Sequence, residues 1–243
     1  MKLGVMQPYF FPYMGYFDLI MKTDHWVVFD VVKYQSKSWM NRNRIQEANN
    51  GEQYISAPII KKSGHIISEM QVLDFNRTAE KLLRQLNVYC NKAPYFDAVR
   101  EMVANVFSEC ADDKLCSLNI SGLRNVCRFL DIPFSYDVCS ELDLDFSAVT
   151  HAGQWALEIS KQLGASTYIN PSGGVDLFDY QEWQSANIGI EFTRLPSLTF
   201  DVPHPFKFKP NLSIIDTLMW NTPETVVGYL QNLPTSRHPD ALQ

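Results

Sequence analysis

The chain has 243 residues, 46% hydrophobic and 20% charged, with 15 Phe, 11 Tyr and 5 Trp; a chain this apolar can bury a core, which excludes wholesale disorder. Its 11 Gly and 13 Pro follow no repeat period, so collagen-like and solenoid architectures are set aside. The formal net charge of −6 argues against a general nucleic-acid binder, and no stretch approaches the roughly 18 apolar residues of a membrane span.

Residues 2–6 form a short apolar run ending at Gln7-Pro8, which predicts a buried strand. An aromatic, proline-containing loop follows at 9–13, then a helix over 14–22 with Phe17, Ile20 and Met21 at helical spacing. Residues 26–29 are a second buried run ending at Asp30. Strand, loop, helix, strand predicts a parallel sheet. Residues 31–44 are polar, aromatic and basic. A strand is expected over 53–60, a turn at Lys61-Lys62-Ser63-Gly64, and an antiparallel partner over 66–73. Three helical patterns come next, at about 77–90, from Pro94, and at 115–130 with Leu115, Leu118, Leu123, Val126 and Leu130 as its apolar face.

The α/β pattern then resumes with a strand over 134–139, a helix over 151–163 capped by Thr150, and strands at 166–169 and 188–192. Residues 196–210 read as a loop. Ser213-Ile214-Ile215-Asp216 matches a capping box with Asp in the closing position, and Thr222-Pro223-Glu224 caps the last helix. The expected fold class is therefore α/β, a largely parallel sheet with flanking helices and a helical insertion. The expected organisation is an N-terminal α/β half with the basic loop (1–74), the helical block (75–130), a C-terminal α/β half (131–232) and a tail (233–243), most simply one compact domain.

Four segments are candidates for chemistry; in the last, Phe208 to Asp216, capping explains Ser213 and Asp216 well. Gln7, Tyr9, Tyr13 and Tyr16 lie between the first strand and its helix, where α/β sheets place ligands and helix N-termini offer backbone N–H groups. Phe10 and Phe11 read as core under that loop. Asp30 ends a buried strand, and Lys33, Lys37, Arg42 and Arg44 crowd four cations into twelve residues with no acid among them. With Tyr34, Trp39 and Asn41 these suit a phosphate or carboxylate beside an aromatic face. Asn170 and Ser172, before the Gly173-Gly174 pair, suit close backbone approach to a ligand. If the strands ending at Gln7, Asp30 and Asn170 are parallel neighbours, Gln7, Tyr16, Asp30, Arg42 and Asn170 converge on one crevice.

Other chemistries lose support. The five His residues, including His238, show no metal-ligand spacing, and no Walker loop, Gly-x-Ser-x-Gly or Gly-x-Gly-x-x-Gly occurs. His151, at a helix start, and His204, between prolines, remain candidate general bases. Cys90, Cys110, Cys116, Cys127 and Cys139 are odd in number, lack a Cys-x-x-Cys pair and read as reduced thiols, none a nucleophile. The start of the chain lacks the apolar core of a signal peptide, so the expected compartment is the cytoplasm.

Met6-Gln7-Pro8-Tyr9-Phe10-Phe11-Pro12-Tyr13-Met14-Gly15-Tyr16-Phe17, Trp39-Met40-Asn41-Arg42-Asn43-Arg44-Ile45, Lys92-Ala93-Pro94-Tyr95-Phe96 and Leu212-Ser213-Ile214-Ile215-Asp216 together resemble the WbqC-like family, in order and over nearly the whole chain. The sequence departs from the family pattern at Pro203-His204-Pro205, where a Tyr-x-Gln-like segment is expected. The resemblance implies a setting in O-antigen and other surface-polysaccharide clusters, and transfer of an acyl or aminoacyl group, glycine for instance, to the amine of a nucleotide-linked deoxyamino sugar. Asp30 or a nearby His would deprotonate the amine, Tyr9, Tyr16 or Gln7 would donate to the oxyanion, and the basic loop would hold a diphosphate or carboxylate. The expected partner is a nucleotide sugar or another anionic small molecule, with no nucleic acid and no membrane. No fixed cofactor is implied beyond the acyl donor, a CoA thioester or an aminoacyl donor, or ATP. A more distant likeness links the opening to nucleotidyl-transfer and adenylate-forming α/β folds. Tyr13-Met14-Gly15-Tyr16 stands where those folds place His-x-Gly-His, and Tyr carries no positive charge at neutral pH. The alternatives are an ATP-dependent adenylate-forming ligase and a non-catalytic nucleotide-sugar-binding protein.

Overall fold

The computed structural model describes residues 1–60 and 64–237 and opens with the strand–loop–helix–strand unit that the apolar runs predict. β1 (Lys2–Met6) leads through the aromatic loop into α1 (Met14–Met21), and β2 (His25–Val28) returns parallel to β1 with Val27 opposite Val5. The chain then leaves the sheet for a two-stranded hairpin, β3 (Arg42–Gln46) and β4 (Glu52–Ser56), and for α2 (Phe75–Gln85), α3 (Phe96–Ser108) and α4 (Leu115–Phe129). It comes back as β5 (Tyr136–Val138), passes through α5 (Gln154–Gln162) to β6 (Thr167–Pro171), and through α6 (Tyr180–Ser185) to β7 (Gly189–Thr193). α7 (Ile214–Trp220), α8 (Pro223–Gln231) and the short β8 (Thr235–Ser236) follow. Residues 61–63 of the expected turn and 238–243 of the expected tail, with His238, lie outside the described residues. Among the described residues no helix is long and apolar enough to cross a membrane.

The protein is α/β. Its six-stranded sheet runs β5-β2-β1-β6-β7-β8, parallel at every pairing except β7 with β8. Successive strand residues point to opposite faces, and here both faces are buried. Trp26, Val28 and Ile169 enter a large core shared with α1, α3, α4, α7 and α8. Leu3, Val5, Val27, Tyr168 and Phe192 enter a smaller core under α5 and α6. Burial on both faces is why these strands read as continuous apolar runs. The predicted stripe of α4, Leu115, Leu118, Leu123, Val126 and Leu130, is buried in the same core as Phe17 and Trp26. Each such side chain contributes roughly 1.5–3 kcal/mol.

The hairpin differs from expectation. β4 pairs with β3, from Arg42 opposite Ser56 to Gln46 opposite Glu52, and not with residues 66–73. β3 escapes a period-two reading because its inward residues are Asn43 and Ile45, of which only one is apolar. Residues 66–73 hold a 3₁₀ turn, Ile67–Glu69, and a bridge of Ile66 to Lys33; the expected antiparallel pairing survives at the end of the segment, where Val72 bridges to Ile59, Ile60 N–H donates to Gln71 O at 2.9 Å and Leu73 N–H to Pro58 O at 2.7 Å.

Two caps also differ. Thr222 caps α8 as expected, accepting from Thr225 N–H at 3.1 Å, with Pro223 in the first turn. Thr150 does not cap α5; its N–H and hydroxyl donate to Gln154 Oε1 instead. Ser213 caps α7, accepting from Ile215 N–H at 3.3 Å, but Asp216 does not close the box. The buried Asp216 carboxylate accepts from the Tyr89 hydroxyl at 2.5 Å and from the Gln46 N–H at 3.3 Å and side-chain amide at 3.4 Å.

Burial pushes the Asp216 carboxyl up to about 6, against the lowering effect of the Tyr89 and Gln46 hydrogen bonds. A carboxyl raised in the folded state stabilises it fully only below the unfolded carboxyl range, and that contribution is lost as pH rises through about 6. Between about pH 4 and about pH 7.5, the wild type should therefore lose roughly 2–3 kcal/mol of unfolding free energy relative to Asp216→Asn. Urea titrations at each pH measure this, and equal pH slopes in the two proteins would refute it.

Candidate functional site

β1 has β2 on one side and β6 on the other. The chain leaves β1 through α1 on one face of the sheet and reaches β6 through α5 on the other. Where crossovers diverge in this way, the carboxyl ends of the strands open a crevice. A cleft of ≈ 410 Å³ lies there, between Gln7 after β1, Asn170 at the end of β6, Trp155 of α5, the Gly173-Gly174 pair, and Tyr9, Tyr13 and Tyr16. A second hollow of ≈ 240 Å³ shares Tyr9 and Tyr13 with the cleft and adds Trp39, Arg44, Leu195 and Asn211. A third, ≈ 110 Å³, runs from Tyr13 to Phe208 and Lys209.

The aromatic loop that joins these hollows is fixed by its own carbonyls. The Tyr16 hydroxyl donates to Gln7 O. Asn119 Nδ2 of α4 donates to Pro8 O at 2.9 Å and to Met40 O at 2.8 Å. Asn43 Nδ2 donates to Phe10 O at 3.2 Å and Phe11 O at 2.8 Å, while its Oδ1 accepts from Arg44 N–H at 2.8 Å. Ser213 Oγ donates to Phe11 O at 2.8 Å, and Ile214 N–H to Pro12 O at 2.9 Å. Buried backbone groups require such partners. They hold Phe11 in the left-handed region at φ 41. Phe10 and Phe11 are buried as expected, which leaves Tyr9 and Tyr13 at the cleft wall. A Cβ on Gly15 would fall 2.4 Å from the Tyr13 ring, so only glycine lets that ring lie over the start of α1.

Burial raises the Tyr9 hydroxyl above its usual range; it also raises that of Tyr13, to which the Asp18 carboxylate adds. Both are therefore protonated donors at neutral pH. Among the described residues, neither hydroxyl has a hydrogen-bond partner, and nor does the Gln7 side-chain amide. The described residues lining the cleft include no carboxylate and no imidazole, and the adjoining hollow supplies one cation, Arg44. Arg44 is held by Glu52 at 2.7 Å, with its guanidinium 5.5 Å from the Trp39 ring centre; Glu52 also pairs with Lys209 at 3.3 Å.

Of the five residues expected to converge, Gln7, Tyr16 and Asn170 line the cleft; Asp30 and Arg42 do not. Asp30 is fully buried and turns toward β5, the neighbour of β2 on the side away from β1. Its carboxylate accepts from Ser140 N–H at 2.9 Å and Ser140 Oγ at 2.7 Å, with Cys116 Sγ at 3.8 Å. It fastens the turn after β5 and has no place in the cleft wall as a base. Arg42 lies over the Tyr54 ring at 4.7 Å and donates to Lys37 O at 2.6 Å, because β3 turns it toward its hairpin partner.

Tyr16 and Asn170 face the cleft with their polar groups engaged. The Tyr16 hydroxyl is on Gln7 O, so this side chain positions the loop and is not a free donor. Asn170 accepts from the Tyr168 hydroxyl at 2.7 Å and donates to Pro171 O at 2.8 Å. A Cβ on Gly174 would fall 2.4 Å from Asn170 Nδ2, which explains the glycine. Ser172 lies between the wall residues Pro171 and Gly173 without forming part of the wall. Lys33 is exposed and bridges to Ile66. Tyr34 donates to Asn41 Oδ1 at 2.9 Å and Asn41 to Ala57 O at 3.1 Å, so this pair secures the basic loop to the end of β4.

The candidate bases are also elsewhere. His151, beside the wall residue Ala152, is exposed and sits 3.3 Å from Glu182 Oε1. His204 is exposed and lines none of the three hollows. None of the five cysteines lines them either; burial pushes the Cys116, Cys127 and Cys139 thiols up, that of Cys139 to about 12.

Asn43 and Asn119 are the site residues that sequence reasoning missed; Ser213, read as a cap, also holds Phe11 O. Asn119 had a signal: it falls between Leu115 and Leu123, four residues from each, on the buried stripe of α4. A polar side chain there needs a buried partner.

No solved structure matches the chain. It is 25% identical over 236 residues to the uncharacterized protein Rv1507c of Mycobacterium tuberculosis (strain ATCC 25618 / H37Rv), a match covering 95% of this chain and 97% of the relative. The profile of the WbqC-like protein family matches residues 7–227. The match starts at the cleft residue Gln7 and takes in the aromatic loop, the β3–β4 hairpin, the helical block and α7; the chain belongs to the WbqC-like protein family.

Proposed function

We propose that the cleft binds a nucleotide-linked deoxyamino sugar and that the protein transfers an acyl or aminoacyl group to its amine. What carries this reading is the hydroxyl-rich cleft at the sheet's switch point opening into a hollow that offers Trp39 and Arg44. The first suits a sugar; the second suits a planar, anionic nucleotide. The family resemblance supports a setting in surface-polysaccharide assembly.

In the transfer, the free amine attacks the carbonyl of a thioester donor. A C–N bond forms, the C–S bond breaks, and the departing thiolate takes up a proton from the amine through solvent. Such a step depends on positioning and on stabilising one developing oxyanion more than on a strong base. Tyr9 and Tyr13 are the hydroxyl donors for that oxyanion, and Gln7 adds an amide. Asp30 takes no part. Adenylate formation from ATP is disfavoured, because Tyr13 and Tyr16 carry no positive charge to meet a transferred phosphoryl group.

A second reading, a non-catalytic nucleotide-sugar-binding protein, is favoured by one observation: no carboxylate or imidazole is among the described cleft-lining residues. The test is incubation with UDP- or dTDP-linked amino sugars and acetyl-CoA or an aminoacyl donor, read by mass spectrometry. The expected result is an N-acylated sugar with no ATP consumed. Binding without product on any donor overturns the transferase and leaves the carrier; product formed only with ATP turnover points to the ligase.

A further inference from the structure

The hollow beside the cleft has a composition of its own. Trp39 is 41% exposed, whereas Trp26 and Trp183 are each 1% exposed. Leu195, 51% exposed, lines the same hollow. The Trp39 backbone is fixed, its carbonyl accepting from Phe10 N–H at 2.9 Å and the next carbonyl, of Met40, from Asn119 at 2.8 Å. The ring is thus an aromatic platform mounted on a rigid frame, with apolar surface in the same hollow. The Arg44 guanidinium lies over one face of the ring, 5.5 Å from its centre, and the buried Arg44 Nε has no hydrogen-bond partner among the described residues.

We infer that this hollow is a nucleobase subsite: the base stacks on the face of Trp39 that Arg44 leaves open, and Arg44 meets the phosphate that follows it. This rests on the proposed reading of the cleft and divides the ligand between two compartments. Tyr9 and Tyr13 line both, so a nucleotide sugar can lay its base in the hollow and its sugar in the cleft without a break. Stacking on an aromatic ring is open to every base, because every base has a π-face. The subsite therefore distinguishes a nucleotide from a sugar phosphate, and not one base from another. A base on a diphosphate also occurs in coenzyme A. The continuity with the cleft assigns the hollow to the sugar's own nucleotide.

The test uses the full chain and measures binding of UDP, dTDP, coenzyme A, the nucleotide sugar and the corresponding sugar 1-phosphate. Fluorescence and calorimetry are read for wild type, Trp39→Phe and Trp39→Ala. UDP and dTDP should quench wild-type fluorescence, and the quenching should disappear in Trp39→Phe while most of the affinity remains. Trp39→Ala should weaken UDP and dTDP alike by roughly 5- to 150-fold, the range for loss of one base–aromatic stack. Its sugar 1-phosphate affinity and its melting temperature should be those of wild type. A nucleotide sugar that binds wild type and Trp39→Ala equally overturns the subsite and leaves the proposed function standing. Loss of coenzyme A binding alone in Trp39→Ala overturns the assignment to the acceptor. If wild type binds no nucleotide and no nucleotide sugar, the proposed function fails and the subsite fails with it.

Discussion

Asn43→Ala should lower the unfolding free energy by about 3–5 kcal/mol, a large effect for a side chain that contributes no apolar surface. Asn43 is buried in β3, and its amide ties the hairpin to the aromatic loop through both Phe10 O and Phe11 O. Its Oδ1 also accepts the Arg44 N–H. Truncation leaves Phe10 O and Arg44 N–H without these partners in a buried setting, at about 1–3 kcal/mol for each group. Ser213→Ala is the internal control. It removes one of two donors from Phe11 O, which keeps Asn43, and the cap on Ile215 N–H, so about 1–2 kcal/mol is expected. Chemical denaturation of both variants gives the comparison. If Asn43→Ala costs no more than Ser213→Ala, the loop is held by the burial of Phe10 and Phe11 and not by its hydrogen bonds.

The same residues show which parts of the structure the sequence discloses. The runs at 2–6, 26–29, 166–169 and 188–192 become β1, β2, β6 and β7, because strands buried on both faces have no polar alternation to obscure them. The stripe of α4 is legible because five apolar residues recur at helical spacing. Parallel order follows from the helices that must cross between strands, and it places Gln7 and Asn170 at one crevice. β3 was hidden because its inward pattern includes Asn43, whose partners, Phe10 and Phe11, are more than thirty residues away in sequence. Asp30 was misread for a different reason. Strand register gives the end of the sheet at which a residue emerges, but not which neighbour its side chain turns toward, and Ser140 lies on the β5 side. Charge density in 33–44 identified a cationic segment without giving its partners. Tyr54, Lys37 O and Glu52 take up Arg42 and Arg44, and of these two cations only Arg44 faces a hollow.

Gly173→Leu should leave the melting behaviour of the protein within the usual surface range, about ±0.5 kcal/mol, and weaken nucleotide-sugar binding at least tenfold, or about 1.4 kcal/mol. Gly173 lines the ≈ 410 Å³ cleft, and a Cβ built there meets no heavy atom of the described residues within 4 Å. Its backbone is outside the left-handed region, so a side chain introduces no strain of that kind. The added side chain therefore starts in open space at the cleft wall, where a leucine competes with a ligand. The neighbouring position behaves differently. A Cβ on Gly174 falls 2.4 Å from Asn170 Nδ2, so Gly174→Ala has to move an asparagine held by Tyr168 and Pro171, and about 1–3 kcal/mol of stability goes with it. Two adjacent glycines thus separate the two effects: one substitution fills the cleft while the wall stands, and the other disturbs the wall. Calorimetric titration of a nucleotide sugar into Gly173→Leu, with thermal melts of both variants, makes the measurement. Wild-type affinity in a folded Gly173→Leu protein would place the ligand outside this cleft and would remove the basis for assigning Tyr9, Tyr13 and Gln7 to the chemistry.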